Sequence, residues 1–478
     1  MTNMNHLKIV TVFLLSMLLA ACGGGSDAPP ATGTTATGTS VKASGVMTKG
    51  SVIVNGVSFA VLPATAIRVD DTTGVLEDNL KNGMVVRVRG NRNDDGLTGA
   101  ADAVETENEV QGRVTSVDTV VNPQTFIVLG QTIYVDAQTV YANLVNLAGL
   151  TAGNGTTTGS IVEVHGLRDS AGNLRASRVE LLGALGANEM ELKGVAANLN
   201  VNGADTITIG NGTLDMVVNF NTASREPAGA AINNGDLVEV KGNLVGGVLV
   251  ATLIQREDLE DAEFEPNEGQ EFEVEGFMAG FSGHPGSFTI NGRNVQTTAA
   301  TIFRSGSEED LGNGTKVEAE GHLSGGVLAA RKITFKNKRV EIQATATANT
   351  ATSVTVMGLN VAIAPFTDNV GITNGQRYRI KGFDDGGTII AERIVNGSGG
   401  GDDWLKALVT AEDEGAKTLG FLGGSVTANL GTNLVFKDAG NNAITETAFY
   451  SGVTAGSTLV KVKFNAGTFI VNEASLED

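Results

Sequence analysis

The sequence predicts an all-β protein: about six tandem, small, antiparallel β-barrels of the OB-like kind, set behind a signal peptide and a flexible tether. Three observations predict it. Glycine supplies 63 of 478 residues while aromatics are 5% and prolines only 8, a balance that suits short strands joined by tight turns and shows no collagen-like period. A strand-like alternation bracketed by glycines recurs along the whole chain. Residues 23–40 are Gly-, Thr- and Ala-rich and carry no pattern that could bury a core.

The chain opens on Lys8 followed by an apolar run from Ile9 to Ala20. Twelve residues are too few to span a bilayer, which needs about 20 in a helix, but they suit the core of a signal peptide. The run ends in Leu19-Ala20-Ala21-Cys22, with Cys22 the single cysteine of the chain. This segment resembles the bacterial lipoprotein signal. The resemblance implies that residues 1–21 are a signal peptide removed before Cys22, that Cys22 is lipidated, and that its acyl chains hold the protein on a membrane. Gly23, in place of an aspartate, resembles the pattern sorted to the outer membrane. Residues 22–40 then read as the lipidated cysteine and a flexible tether.

Five later segments share a glycine, six residues, then a glycine, enclosing alternating apolar and polar side chains. They are Gly83–Gly90, Gly159–Gly166, Gly235–Gly242, Gly314–Gly321 and Gly375–Gly382; a sixth, Gly456–Phe464, lacks the closing glycine. Alternation with period two buries one face of a strand and solvates the other. A turn rich in Gly, Asp and Asn follows each, and then a strand with alanine three places before Val or Ile: Ala101/Val104, Ala176/Val179, Ala251/Ile254, Ala330/Ile333 and Ala391/Ile394. Such turns join hairpins, because these residues reach positive φ at little cost.

Each unit begins with a strand holding a small residue at its middle: Gly45, Gly112, Gly194, Gly276, Ala344 and Ala407. Glycine weakens a strand unless a bend or a close approach of backbone needs it, so its recurrence predicts a sharply coiled strand in a small closed barrel. The spacing gives barrel repeats at 41–105, 106–185, 186–257, 271–337 and 338–395, and a divergent sixth at 404–478. An acidic linker at 258–270 and a Gly-rich linker at 396–403 separate some of them. The Gly-x6-Gly strand, the Gly-rich hairpin and the Ala-x-x-[Val/Ile] strand resemble the bacterial domain of unknown function 5666. That resemblance implies a small β-barrel repeat of exported proteins and supplies no catalytic residues.

Side-chain chemistry points away from catalysis. Lys+Arg number 33 against 53 Asp+Glu, a net charge of −20, which argues against nucleic acid as a partner, since phosphate binding needs a basic face. His165, His284 and His322 sit in separate units and read as solvated or turn residues, with no ligand or base role. The acidic run Glu257–Glu268 could supply oxygens to calcium, yet reads better as a solvated linker. The turns Asn93–Gly96 and Asp384–Gly386 read as hairpin turns rather than calcium loops. Phe126, Phe272, Phe277, Phe288 and Phe464 occupy alternating strand positions, so most of them are expected in cores, with Trp404 anchoring the start of unit six.

The sequence therefore predicts no catalytic residue, no metal or other cofactor, and one modification site, Cys22. The expected protein is a lipid-anchored string of independent barrels at the outer membrane, facing periplasm or cell surface, with a non-enzymatic structural or binding role and envelope proteins or polysaccharide as partners. A calcium-stabilised adhesin and a hydrolase with a site between modules are the alternatives.

Overall fold

The computed structural model describes residues 38–477, apart from 49–51, 71, 122, 185–189, 202, 204, 211–213, 258–262, 338, 386, 399–400, 457 and 465–469. Cys22, the signal segment and most of the tether lie outside the described residues. Six barrels follow one another, and each repeats one plan. In unit two the five strands are Val110–Asp118, Thr125–Val128, Gln131–Tyr134, Ile161–Arg168 and Leu174–Leu182. They close in the order first, second, third, fifth, fourth and back to first. Units three to six close the same way, and unit one closes through a bridge between Thr48 and Ile53. The barrels are not wholly antiparallel: the third and fifth strands of every unit run parallel. The fourth strand lies between them in sequence and forms a hairpin with the fifth, which returns the chain in the direction of the third.

The repeated glycines have separate physical duties. The opening glycine of each segment is left-handed, with φ between 83° and 108° at Gly83, Gly159, Gly235, Gly314, Gly375 and Gly456. The closing glycine sits at a β-bulge opposite the recurring alanine, as in Gly242 opposite Ala251. A Cβ on Gly242 would stand 2.2 Å from the Val250 carbonyl oxygen, and the same collision, at 2.0–2.4 Å, awaits one on Gly90, Gly166, Gly321 or Gly382. Only glycine lets the hairpin fold over at that point. Unit six replaces the pair with Phe464 opposite Val471, both in the core. At mid-strand, a Cβ on Gly194 would lie 2.5 Å from Ile209 Cγ2 and one on Gly276 2.6 Å from Ile290 Cγ2, so the small residue lets the first strand coil onto the second.

A further repeated contact carries a weaker sequence signal. Thr65, Thr139, Thr301 and Thr367 each donate a hydroxyl hydrogen to the carbonyl of the bulge alanine, Ala101, Ala176, Ala330 and Ala391 respectively. Each bond satisfies a carbonyl that the bulge removes from the ladder. Unit three has Ala223 just before the equivalent short strand Ser224–Glu226.

The barrels are not beads on a string. A first strand pairs with the fourth strand along its N-terminal half and with the second along its C-terminal half, so the other edge of the N-terminal half is left open. The open edges are closed by one another. Units two and three join antiparallel through Leu192 opposite Val110 and Glu191 opposite Gln111. Units five and six join antiparallel from Val340 opposite Ala407 to Gln343 opposite Trp404. Units one and four, distant in sequence, join parallel from Val41 opposite Glu271 to Ser44 opposite Val274.

The cores follow the pairing. Units two and three share one contiguous apolar cluster, as do units five and six, while units one and four have clusters of their own. The expectation of six independent cores therefore fails for two of the three pairs, because strand pairing draws neighbouring apolar faces together. Gly242→Val is expected to destabilise by about 1–3 kcal/mol through overpacking. Amide exchange should show protection lost across residues 110–182 and 190–256 together and retained across 340–464. Loss confined to 190–256 would contradict a shared core.

Candidate functional site

The buried ionisable side chains gather where barrels meet. Around the junction of units one, two and three, the Lys193 ammonium bonds to Glu107, in the short link between units one and two, and to Glu257, just after the last strand of unit three. Burial by itself would raise the Glu107 carboxyl, but Lys193 and then Arg87 bring it down to about 2. Burial prevails at Glu257, against the opposing pull of Lys193, and pushes it up to about 7. Lys193 is itself raised, the two carboxylates outweighing its desolvation.

The same logic holds at the other seams. Between units one and four, Arg92 bonds to Glu273 and reaches Glu320 at 3.0 Å. Glu273 is 1% exposed, and burial pushes its carboxyl up to about 8 despite Arg92. Between units four, five and six, Lys406 Nζ lies 3.5 Å from Asp310 and 3.3 Å from Glu341, while Arg379 bonds to both Glu341 and Glu309. The Ala137 amide of unit two donates to Asp385 of unit five. Burial pushes Asp385 up to about 6 against that hydrogen bond.

The histidines divide differently from the sequence expectation. His322 is exposed. His165 is not solvated: at 1% exposure its Nδ1 lies 3.0 Å from the Glu107 carbonyl oxygen and its Nε2 3.0 Å from Glu163. It bridges unit two to the link from unit one. Period-two alternation placed it on an outward face, and a neighbouring barrel covers that face. His284 is also largely covered, with Nδ1 3.0 Å from Thr297 Oγ1 and its ring edge-on to Phe303 at 5.1 Å. The acidic run is likewise no free linker. Glu257 is buried, Glu263 bonds to Arg89, Glu265 to Arg293, and Glu268 accepts the Gly325 amide at 2.9 Å. Residues 258–262 of that run lie outside the described residues.

The remaining candidates take plain positions. Asp95 accepts the amides of Leu97 and Thr98 within its hairpin turn, and Asp384 accepts Gly387. Phe126, Phe272, Phe277, Phe288 and Phe464 are buried. Trp404 is the second residue of the first strand of unit six, Asp403–Asp413, with the Lys461 ammonium 4.4 Å from its ring centroid. Glu107, Glu239 and Glu257 could present oxygens within 4.8 Å of one another to a cation, but the Lys193 ammonium already bonds to two of them. Two small cavities lie at seams. One of about 30 Å³ is lined by Arg339, Asp384 and Thr410 among others, and one of about 40 Å³ by Arg175, Phe277 and Lys316 among others. Each has room for about one water.

A family model for a domain of unknown function, DUF5666, matches residues 39–105, 111–180, 194–255 and 265–334. The chain belongs to that family. The four matches of this DUF5666 protein coincide with units one to four. Units five and six keep the same strand order outside the matched segments, where Ala344 and Ala407 replace the mid-strand glycine. No curated protein matches the chain. Among solved structures it is similar to one described as drosophila Unr CSD456, at 13% identity and a TM-score of 0.13, covering 45% of this chain and 100% of that one. So loose a superposition carries nothing about fold or function.

Removing one partner of a buried pair should cost far more than removing an exposed one. Lys193→Met leaves Glu107 and Glu257 buried without their ammonium and is expected to destabilise by about 3–5 kcal/mol. Arg393→Ala, which loses a half-exposed contact with Asp368, should cost less than about 1 kcal/mol. Urea denaturation of both variants measures the contrast, and equal effects would contradict it.

Proposed function

We propose that this DUF5666 protein is a lipid-anchored component of the bacterial cell envelope with a non-enzymatic, structural or binding role. The anchor is Cys22, whose thiol follows an apolar run of signal-peptide length and precedes a flexible stretch that would hold the barrels away from lipid. Two or three acyl chains bind a bilayer far more firmly than one. Among the described residues no helix is long and apolar enough to cross a membrane; what supports attachment through Cys22 is the apolar run that ends at it. The outer membrane is the proposed location, on the strength of Gly23.

The observation that carries the non-enzymatic reading is where the buried charge lies. Catalysis needs titratable groups converging on a space that holds substrate. Here many of the described buried carboxylates and cations are bound to one another, within a barrel as at Glu318 and Lys336 or across a seam as at Glu273 and Arg92, and the two seam cavities have room for little more than water. The outer faces of the barrels are what remains to meet envelope proteins or polysaccharide. Acidic charge and the burial of the aromatics in cores both disfavour nucleic acid as the partner.

Cys22→Ala should abolish incorporation of labelled fatty acid and move the protein from the membrane fraction to the soluble fraction. Continued labelling, or unchanged membrane retention, would overturn the anchor. Turnover of any substrate in a panel of esters, phosphoesters and glycosides would overturn the non-enzymatic reading.

A further inference from the structure

The seam between units one and four differs from the other two in direction. Its first strands, Thr39–Val46 and Glu271–Ala279, run parallel, from Val41 opposite Glu271 to Ser44 opposite Val274. Side chains bracket it at both ends: Gln270 Nε2 donates to Ser40 Oγ at 3.1 Å, and the Val46 amide donates to Glu275 Oε2 at 3.2 Å. Arg92 of unit one adds bonds to Glu273 and Glu320 of unit four. The two barrels keep separate apolar clusters, so strand pairing and polar contacts join them rather than a common core.

Direction decides how such a seam meets tension. In parallel neighbours, the end where the chain enters one strand and the end where it leaves the other lie at opposite ends of the seam. Pulling on those two ends slides the strands along their length, so their evenly spaced hydrogen bonds are loaded together. In antiparallel neighbours the two ends lie side by side, and pulling opens the pairs one after another. Val110, where the chain enters unit two, stands opposite Leu192 on the exit side of that seam, and Val340, entering unit five, stands opposite Ala407. Units two and three, with the shortest seam of two residue pairs, belong to the stretch of chain that the parallel seam closes off.

We propose that the parallel seam is a shear clasp: it carries tension between the N-terminal end of the chain and units four to six, and keeps that tension off units two and three. The proposal rests on the reading above, that the chain is held at its N-terminal end and meets partners through its barrels. Tension arriving before Thr39 enters the clasp directly, because Thr39 is the first residue of unit one's first strand and already pairs with Arg92. It leaves by way of Ala279, where unit four's first strand ends. While the clasp holds, the separation of units one and four is fixed, so the two barrels between them in sequence are not stretched. Eight residue pairs hold unit one's first strand to its fourth, and seven do so in unit four, against four in the clasp. Each barrel therefore passes tension to the clasp without coming apart first.

Pulling on the same seam from two directions tests the clasp. In residues 22–478, prepared without acylation, the Cys22 thiol takes one handle for optical tweezers and an added cysteine takes the other. Ser282→Cys, just beyond the exit end of unit four's first strand, loads the seam in shear. Asn267→Cys, just before the entry end of that strand, opens it from one end. Both positions are exposed. The first-rupture force in Ser282→Cys is expected to exceed that in Asn267→Cys by roughly twofold to fourfold, because four residue pairs share the load. Equal forces, or a higher force in Asn267→Cys, overturn the proposal. Should either variant fail to fold, Ser287→Cys and Glu268→Cys, exposed near the same two ends, repeat the comparison. The readout does not depend on lipid: absence of fatty acid on Cys22 would overturn the anchor and leave this contrast standing.

Discussion

The open edge on the N-terminal half of each first strand is the constraint from which the rest of this molecule follows. A five-stranded barrel closes by splitting one long strand between two partners, and the half that pairs with the fourth strand has nothing on its other side. Unpaired backbone donors and acceptors in a row invite another strand. Six barrels have six such edges, and the chain satisfies them in three pairs: two between consecutive units and one, between units one and four, that encloses the pair formed by units two and three. Covalent tethering makes each encounter intramolecular, so short seams of two to four residue pairs suffice where free modules would need a larger interface.

Pairing by edges brings outward-facing side chains under a neighbour, and these side chains are mostly charged. A barrel alone would expose Glu273, Glu275, Glu318 and Glu320 on its outer face; in the assembly all four are at most 5% exposed. Each then needs a cation, and Arg92, Lys316, Lys332 and Lys336 are placed to supply it. Buried ion pairs of this sort add little net stability compared with apolar contacts, yet an unmatched partner is costly. Among these cations Arg92 comes from unit one, and its reach to Glu273 and Glu320 ties that barrel to unit four. Apolar seams among six look-alike modules would discriminate poorly.

The repeat was legible in the sequence because its signals are local. The left-handed opening glycine, the bulge glycine and the facing alanine are each demanded by backbone geometry within one hairpin. Unit six, with Phe464 in place of glycine, was readable only in outline for the same reason. The pairing was not legible, since strand edges recognise one another through backbone groups that are identical in every unit. His165 and Glu257 were misread on that account. Alternation assigns His165 an outward face and clustering assigns Glu257 to a solvated run, and neither rule knows that a second barrel lies over them. The threonines over the bulge carbonyls were legible in principle, as a threonine at a corresponding place in four units, but a single hydroxyl among many threonines is a faint mark.

Small-angle X-ray scattering tests the central claim, that six barrels interlock through their first strands, more directly than any substitution. A compact body of this length has a radius of gyration of about 23 Å, from the scaling of about 2.2 Å times residue number to the power 0.38. The interlocked arrangement predicts a value close to that, raised slightly by the N-terminal tether. A value of about twice that size would mean that the barrels lie in a line, and would contradict the pairing.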